Sequence, residues 1–249
     1  MSRRLALVVA ATLVTSGCAV EAQAPPSRAP TTTVPALTPV SPLVADATRA
    51  QVPTIERDST HRAAEQLTVR VRNVNCTGIT LGSGFAIAPD VLVTNRHVLA
   101  GADELTIDTW DGRTIGVKTA KVGALEDLGL AVVDRPLPTV ARFGPAARAG
   151  GPVTVVGYPL GGALTFSSGV VVDRVDGRPF GVQGDVLRLT ARVEHGNSGG
   201  PVLDAQGRVV GVVFAIQVAT GFGLAIPNET LLQLVRARGF EALPPCGSQ

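Results

Sequence analysis

The sequence predicts an all-β protein built as two barrels that follow one another along the chain. Short β-rich segments separated by Gly, Pro and Asp turn residues are typical of a sandwich or a barrel. Residues 135–151, rich in Pro, Ala and Gly, interrupt these segments, and we interpret them as the connection between the two barrels. The predicted strands are residues 67–72, 84–87, 105–109, 114–122, 130–133, 153–156, 164–175, 186–191, 209–217 and 222–226.

Composition narrows the classes of protein. The chain has 249 residues, of which 45% are hydrophobic, with 28 Gly and 18 Pro, and this fits one globular region plus a less ordered part. A domain of about 180 residues can bury a sizeable core without a metal ion. The net charge of +2 is small and the arginines are scattered, so we expect no nucleic-acid partner. We expect no metal and no cofactor.

Residues 1–17 have the features of an export signal. Arg3 and Arg4 precede an apolar run, residues 5–14, which is too short to span a bilayer. The segment ends in Thr-Ser-Gly before Cys18, an arrangement that resembles a bacterial lipobox, although leucine is commoner than threonine at its first position. We therefore expect Cys18 to be acylated and to anchor the protein in a membrane. The alternative is an ordinary secretory signal.

Residues 18–58 are rich in Ala, Pro and Thr and show no sustained helical or strand period. Frequent prolines favour extended chain, so we interpret this segment as a disordered, semi-stiff tether between the lipid and the domain of residues 59–249. A flexible activation segment is the alternative. Within the domain, residues 56–66 predict a short helix that leads into the first strand, and residues 228–239 predict a closing helix with an asparagine cap and a terminal glycine.

Ser198 is the candidate nucleophile. It lies in Glu-His-Gly-Asn-Ser-Gly-Gly-Pro, residues 194–201, where small residues let a carbonyl substrate approach the backbone. The N–H groups of Gly196 and Ser198 would converge as an oxyanion hole. An ordinary glycine-rich hairpin turn is the alternative.

His97 is the candidate general base, because it follows a β-rich run from which a rigid sheet could aim it into a cleft. The other histidines are His61, in the polar segment before the first strand, and His195, in the loop of Ser198 itself. Asp127 opens an apolar strand where an unpaired charge would be costly, so we expect it to orient the base. The rival carboxylates Asp108, Asp111, Asp134 and Glu126 look like turn or surface residues.

The three motifs together resemble those of the trypsin-like, chymotrypsin-fold serine peptidases. They are Thr-Asn-Arg-His-Val (94–98), Asp-Leu-Gly-Leu-Ala-Val (127–132) and Gly-Asn-Ser-Gly-Gly-Pro (196–201), in the order His, Asp, Ser. The sequences of these motifs are similar to those of the bacterial Deg/HtrA-type branch, and most of all to those of the periplasmic acid-resistance proteases of actinobacteria. The resemblance implies two six-stranded antiparallel β-barrels with a short C-terminal helix and a site between the barrels. Residues 240–249 alone follow the predicted helix, so we expect no PDZ domain of the kind that many Deg/HtrA proteins carry.

The resemblance also implies the walls of a primary specificity pocket. They would come from Val193, Phe214, Ala215 and Ile216, with Gly221 and Gly223 leaving space for an uncharged, mainly aliphatic side chain. Arg192 would favour acidic residues if it pointed inward.

Two positions depart from the pattern of the family. Asn197 replaces the aspartate that pairs with a new N-terminus in the digestive enzymes, so activation by such a cut is not expected. Phe214 replaces a hydroxyl residue that helps to hold the catalytic aspartate in many relatives, and we expect Thr94 to take over that role.

Cys76 and Cys246 remain as a pair if Cys18 is acylated. In an exported protein such a pair is more often bridged than free, so we expect a disulfide between them.

The sequence thus predicts an exported, membrane-tethered serine endopeptidase that acts on peptides or proteins of the cell envelope through an acyl-enzyme. The alternatives are a catalytically silent, peptide-binding lipoprotein with the same fold and a purely structural envelope lipoprotein. The sequence does not indicate the oligomeric state.

Overall fold

The computed structural model describes residues 59–244. The predicted signal segment, Cys18, the tether and Cys246 lie outside these residues. A short helix, α1 (Ser59–Leu67), opens the described part of the chain close to its predicted place and buries Ala64 and Leu67. Among residues 59–244, no helix has both the length and the apolar character needed to cross a bilayer.

Six antiparallel strands close the first barrel, and a seventh strand from the end of the chain joins it. The six strands are β1 (Thr68–Asn75), β2 (Gly78–Ala88), β3 (Val91–Thr94), β4 (Ala102–Asp108), β5 (Thr114–Gly123) and β6 (Gly129–Val133). The alternation expected of β1 is observed, because Val69 and Val71 are buried while Arg70 and Arg72 are partly exposed. Pairing of β5 with β6 closes the barrel.

A second set of six strands forms a closed antiparallel barrel. Its strands are β7 (Pro152–Gly157), β8 (Thr165–Asp176), β9 (Asp185–Leu189), β10 (Pro201–Asp204), β11 (Val209–Gln217) and β12 (Phe222–Pro227). The two-barrel fold predicted from the sequence is therefore confirmed. Residues 135–151 connect the barrels, as expected, and hold only an isolated bridge from Phe143 to Val209.

The chain closes with helix α3 (Asn228–Ala237) and strand β13 (Phe240–Ala242), which pairs with β5 of the first barrel. The helix is where the sequence predicted it, but its caps are not. Pro227 is the N-cap, and the Asn228 side-chain amide instead donates to the carbonyls of Gly144 (2.8 Å) and Val209 (3.0 Å). The left-handed residue at the other end is Arg238, with φ 54°, and not the glycine that follows it.

Three buried apolar clusters explain how the barrels hold together. One fills the first barrel and includes Val69 and Ile107, and another fills the second and includes Leu187 and Leu189. The third joins residues of both barrels, among them Phe85 of β2 and Val212 of β11. Burial of each large side chain of this kind contributes about 1.5–3 kcal/mol. The third cluster therefore fixes the two halves of the molecule, and the cleft between them, relative to one another.

Candidate active site

His97 lies on a single helical turn, α2 (Arg96–Leu99), that follows β3 directly. The sequence predicted a strand that passes into a loop at this point. Val98 and Leu99 are fully buried in the core of the first barrel, while the His97 side chain is 46% exposed. One side of α2 is thus anchored in the core, and the other side leaves the imidazole at the surface of the cleft.

Asp127 is held against His97 by two hydrogen bonds. Its Oδ1 accepts the His97 backbone N–H at 3.0 Å, and its Oδ2 lies 2.8 Å from His97 Nδ1. The Asp127 backbone is left-handed, with φ 52°, and its carbonyl accepts the Asn95 side-chain amide (2.9 Å) and the Arg96 N–H (3.2 Å). His97 therefore fixes the carboxylate of Asp127, and Asn95 and Arg96 fix its carbonyl.

The expectation that Thr94 helps to hold Asp127 is wrong. The Thr94 hydroxyl donates to the carbonyl of Ser83 at 2.7 Å. The four rival carboxylates have other partners: Asp108 pairs with Arg70, Asp111 with Arg113, Asp134 accepts the Gly116 N–H and Glu126 accepts the Leu125 N–H.

Ser198 lies in the loop between β9 and β10, in the second barrel. Its hydroxyl is 3.4 Å from the carbonyl of Phe214, a residue that lines the same cleft as His97 and Asp127. In residues 59–244 no hydrogen bond joins the Ser198 hydroxyl to His97. The structure thus brings His97 and Asp127 into contact and leaves the Ser198 hydroxyl turned to a backbone acceptor. Hydrogen bonds between a nucleophile and its general base are often long in enzymes that have no substrate bound.

Most backbone polar groups of residues 194–200 are hydrogen-bonded. The Glu194 carbonyl accepts the Asn197 N–H (3.0 Å), the His195 carbonyl accepts the Leu160 N–H (2.6 Å), and the Asn197 carbonyl accepts the Gly200 N–H (2.9 Å). Two contacts come from Ser83 on β2. Its hydroxyl donates to the Gly196 carbonyl (2.7 Å), and its N–H donates to the Ser198 carbonyl (2.7 Å).

The N–H groups of Gly196 and Ser198 have no hydrogen-bond acceptor within the described part of the chain, and the same holds for the N–H groups of Glu194 and His195 before them. Gly196 has φ 95°, and a Cβ there would lie 2.4 Å from the Tyr158 carbonyl, so no other residue fits without displacement. Two unpaired donors on a fixed loop beside a serine can stabilise an oxyanion.

The cleft between the barrels has a volume of about 780 Å³. Both barrels line it, with His97, Asp127 and Leu125 on one side and Phe180 and Phe214 on the other. The loop between β8 and β9 crosses to the first barrel, where the Gln183 N–H donates to the Leu125 carbonyl at 2.9 Å. The cleft is therefore bounded by loops that contact one another across the two barrels.

The specificity pocket expected from the sequence is partly filled. Val193 is buried, and a Cβ on Gly223 would lie 2.5 Å from its Cγ2 atom, so the space expected beside Gly223 is occupied by Val193. Ala215 lines the cleft, Ile216 is partly exposed, and Gly221 lies in an open turn with φ 74°.

Arg192 does not line the expected pocket. Its side chain is 81% exposed and pairs with Glu194, with Nε to Oε1 at 3.0 Å, so it points to solvent. Its charge is thus compensated by a neighbour two residues along the chain.

Sequence reasoning missed three residues of the first barrel: Ser83 and Asn95, which contact the site, and Arg70, which contacts the turn beside it. For Ser83 a signal was present, since a serine between two glycines in a strand marks a close approach of other backbone. Arg70 donates to the Gly161 carbonyl at 2.7 Å and pairs with Asp108. Burial raises the pKa of Asp108, but hydrogen bonds from Thr114 and Arg70 outweigh it and hold that pKa below its ordinary value.

Cys76 follows β1 and is disulfide-bonded, and the other two cysteines of the chain lie outside the described residues. The pairing with Cys246 stays a prediction.

Residues 82–212 match the family described as the trypsin-like peptidase domain, and the chain belongs to this family. The serine protease Rv3671c of Mycobacterium tuberculosis is 33% identical over 174 residues, which cover 65% of this chain and 44% of that protein. A probable periplasmic serine endoprotease, DegP-like, of Brucella suis is 34% identical over 166 residues, covering 63% of this chain and 32% of that protein. The chain therefore spans less than half the length of these curated relatives.

Solved structures agree with this family. The crystal structure of the active form of the M. tuberculosis protease Rv3671c matches with a TM-score of 0.66 and 29% identity, over 78% of this chain and 89% of that one. A variant of the HtrA-type protease AlgW, with a tripeptide, matches with a TM-score of 0.67 and 25% identity, over 72% of this chain and 62% of that one. The chain is therefore a member of the trypsin-like peptidase family, and its relatives and structural neighbours include proteases of the Deg/HtrA type.

Proposed function

We propose that this protein is an exported, lipid-anchored serine endopeptidase that cleaves proteins of the cell envelope through an acyl-enzyme. The observation that carries the catalytic part is the hydrogen-bonded pair of His97 and Asp127 at the cleft, with Nδ1 and Oδ2 2.8 Å apart, in a chain where the N–H groups of Ser198 and of Gly196 are both unpaired among the described residues.

The geometry supports a defined role for each residue. With its proton on Nδ1, His97 donates a hydrogen bond to the Asp127 carboxylate, which leaves Nε2 free to accept the Ser198 proton. Ser198 Oγ would attack the substrate carbonyl while His97 takes its proton, and His97 would then give that proton to the leaving amine. The N–H groups of Gly196 and Ser198 would hold the oxyanion, and water would hydrolyse the ester that results.

The sheet edge beside Ser198 supports an extended peptide as substrate. Strand β11 continues to Gln217, whereas its neighbour β10 pairs only with residues up to Val212. The last residues of β11 are therefore paired with β12 on one side and have an edge open to the cleft on the other. An extended peptide can add to such an edge as a further strand.

The walls of the primary pocket favour a substrate with a small, uncharged side chain at the cleaved position. Val193 fills the space beside Gly223, and Arg192 is paired with Glu194 at the surface. Neither a carboxylate for a basic residue nor a free guanidinium for an acidic one lies in the wall formed by Val193, Ala215 and Ile216.

Export and anchoring rest on the sequence of the first 58 residues and on the relatives. Residues 1–17 and Cys18 resemble a lipoprotein signal, and the Brucella relative is named a periplasmic endoprotease. The proposed place is the outer face of the cell membrane, with secretion without an anchor as the alternative.

A catalytically silent, peptide-binding lipoprotein is the second candidate. It is favoured by one observation, the hydroxyl of Ser198 directed to the Phe214 carbonyl at 3.4 Å.

The test is hydrolysis of a peptide library together with labelling by a serine-reactive fluorophosphonate. We expect Ser198→Ala and His97→Ala each to abolish hydrolysis without loss of the fold, and Asp127→Asn to lose roughly 10⁴ in turnover through the wrong imidazole tautomer. His195→Ala is the matched control, because His195 is exposed, and it should keep far more activity than His97→Ala. Folded wild-type protein that is neither labelled nor active would favour the silent candidate.

A further inference from the structure

The direction of the Gly196 N–H is set by a contact outside its own loop. The His195 carbonyl accepts the Leu160 N–H at 2.6 Å. The peptide bond between His195 and Gly196 is trans, as no cis peptide occurs in residues 59–244, so its carbonyl and its N–H point in opposite directions. A contact that fixes the His195 carbonyl therefore also fixes where the Gly196 N–H points.

Leu160 belongs to a tight turn, Pro159–Gly161, whose backbone is unfavourable by itself. Leu160 has φ 54° and ψ 21°, in the left-handed region that leucine rarely adopts. The residue is 73% exposed, so packing of its side chain does not hold the conformation. Something outside Leu160 must stabilise this turn.

Two side chains of the first barrel hold the turn at its two ends. Before the turn, the Ser83 hydroxyl accepts the Tyr158 N–H at 2.9 Å. At its last residue, the Arg70 guanidinium donates to the Gly161 carbonyl at 2.7 Å. Ser83 is fully buried, and its hydroxyl also donates to the Gly196 carbonyl, so this one group joins the turn to the loop of Ser198.

Arg70 is itself fixed from two directions. Its Nε and Nη2 atoms donate to Asp108 at 3.1 and 2.8 Å, and its guanidinium carbon lies 5.9 Å from the centre of the Tyr158 ring. A guanidinium in such a fork loses little freedom when it also binds the Gly161 carbonyl. The aromatic ring next to the turn adds a cation–π contact that keeps Arg70 above it.

We propose that Ser83 and Arg70 are positioning residues for the oxyanion hole of the second barrel. Both act through the turn of residues 158–161, and Ser83 acts also on Gly196 directly, while neither touches the reacting atoms. The inference rests on the proposed serine-peptidase function. It implies that the barrel that supplies His97 also fixes the direction of the Gly196 N–H, which would bind the oxyanion.

Arg70→Met and Ser83→Ala test the proposal. Removal of one donor of an oxyanion hole lowers turnover by about 10²–10³. Displacement of a donor should lower turnover by less than its removal does. We therefore expect kcat to fall by roughly 10–100-fold in each variant, with KM within about threefold of wild type. Affinity for a peptide aldehyde, whose adduct places an oxyanion in the hole, should fall in parallel with kcat. Affinity for the leaving-side product peptide, which ends in an amine and brings no oxyanion to the hole, should not change.

Arg208→Met is the matched control. Arg208 pairs with Asp204 at 2.8 Å and is 37% exposed, against 33% for Arg70, but it makes no contact with residues 158–161 or 194–200 among those described. Arg208→Met should keep the wild-type kcat and aldehyde affinity, even where its melting temperature falls as far as that of Arg70→Met.

The outcomes separate the two proposals. Wild-type protein without hydrolysis or fluorophosphonate labelling would overturn the proposed function. An active wild type and an inactive Ser198→Ala, together with wild-type kcat and aldehyde affinity in Arg70→Met, would overturn the positioning role. A drop in kcat that Arg208→Met shares would overturn it as well. If thermal melts show that Ser83→Ala does not fold, Arg70→Met alone decides.

Discussion

Asp127 adopts a left-handed backbone with φ 52°, a conformation that costs a residue other than glycine about 1–3 kcal/mol unless its surroundings impose it. The surroundings here are the Asn95 side-chain amide and the Arg96 N–H, which both donate to the Asp127 carbonyl. The resulting backbone turns the carboxylate toward both the N–H and the Nδ1 of His97. One strained residue thus lets a carboxylate use both oxygens on the same histidine.

Val193 is the residue on which the size of the specificity pocket should depend. Its Cγ2 atom occupies the space beside Gly223, so the wild-type protein should prefer alanine or valine at the cleaved position. Val193→Ala should shift that preference toward leucine and methionine, because two carbon atoms are removed from the wall. The check is kcat/KM over a series of peptides that differ only at this position.

Val171→Ala provides the control for this change. Val171 is a buried valine of the same core cluster, on β8, and its loss should lower stability by a similar amount, roughly 1.5 kcal/mol at about 0.8 kcal/mol per CH₂. It should leave the preference at the cleaved position unchanged. A wild-type profile dominated by Lys or Arg, or an unchanged profile in Val193→Ala, would contradict the assignment of this wall.

Strand β13 connects the segment after α3 to the first barrel. Phe240, Glu241 and Ala242 pair with Gly123, Val122 and Lys121 of β5, and Leu243 packs against the core of that barrel. A strand of three residues is too short to be stable without further contacts. The segment that follows α3, which belongs to the second barrel, is therefore stabilised by its pairing with the first.

A disulfide from Cys246 to Cys76 would fasten this strand. Cys76 lies on the first barrel and is disulfide-bonded, so we expect Cys246→Ser to lower the free energy of unfolding. The chain-entropy estimate for so long a loop is about 5 kcal/mol and is an upper bound. Activity should also fall if β13 keeps the two barrels in register.

Urea unfolding of single and double variants distinguishes the partners of Cys76. If Cys76 and Cys246 are bridged, the double variant should be no less stable than either single variant, since the same bond is lost in all three. Cys18→Ser should leave the free energy of unfolding unchanged. Mass spectrometry of unreduced, alkylated protein offers an independent check, in which alkylation of both Cys76 and Cys246 would refute the bridge.

In the whole molecule, the candidate site depends on two barrels that do not share a sheet. His97 and Asp127 belong to the first barrel, Ser198 to the second, and the apolar cluster that includes Phe85 and Val212 presses the two together. The hydrogen bonds of Ser83 cross the same boundary close to the site. Loss of packing in that central cluster should therefore reduce activity before it unfolds either barrel.

Anchoring concerns the whole chain, since the proposed tether would hold the catalytic domain away from the lipid. If Cys18 is acylated, wild-type protein expressed in a bacterium should sediment with membranes, and Cys18→Ser should appear in the soluble exported fraction or keep its uncleaved signal. Both forms should hydrolyse peptides at equal rates in detergent, because the anchor lies outside the domain. Wild-type protein found wholly in the medium would contradict anchoring.

Much of the fold was predictable, because alternating burial and turn residues are local signals. Strands such as β1 and β11 and the helix α3 lie close to their predicted positions. The sequence did not predict β10, which begins with a proline and has four residues, or β13, which has three. Such short strands owe their conformation to their partners, so their own residues carry little signal. The predicted N-cap of α3 was wrong for a similar reason, since the side chain of Asn228 binds the connection between the barrels instead of capping the helix.

The sequence alone determined the fold class, the family and the three motifs that carry His97, Asp127 and Ser198, because these depend on residue type and order along the chain. Only the tertiary structure decided how those residues are held. The contacts of Ser83 with Gly196 and of Arg70 with Gly161 join residues that are 113 and 91 positions apart. Hydrogen bonds of this kind form when two barrels pack, and no local pattern records which carbonyl a buried hydroxyl or a guanidinium will meet.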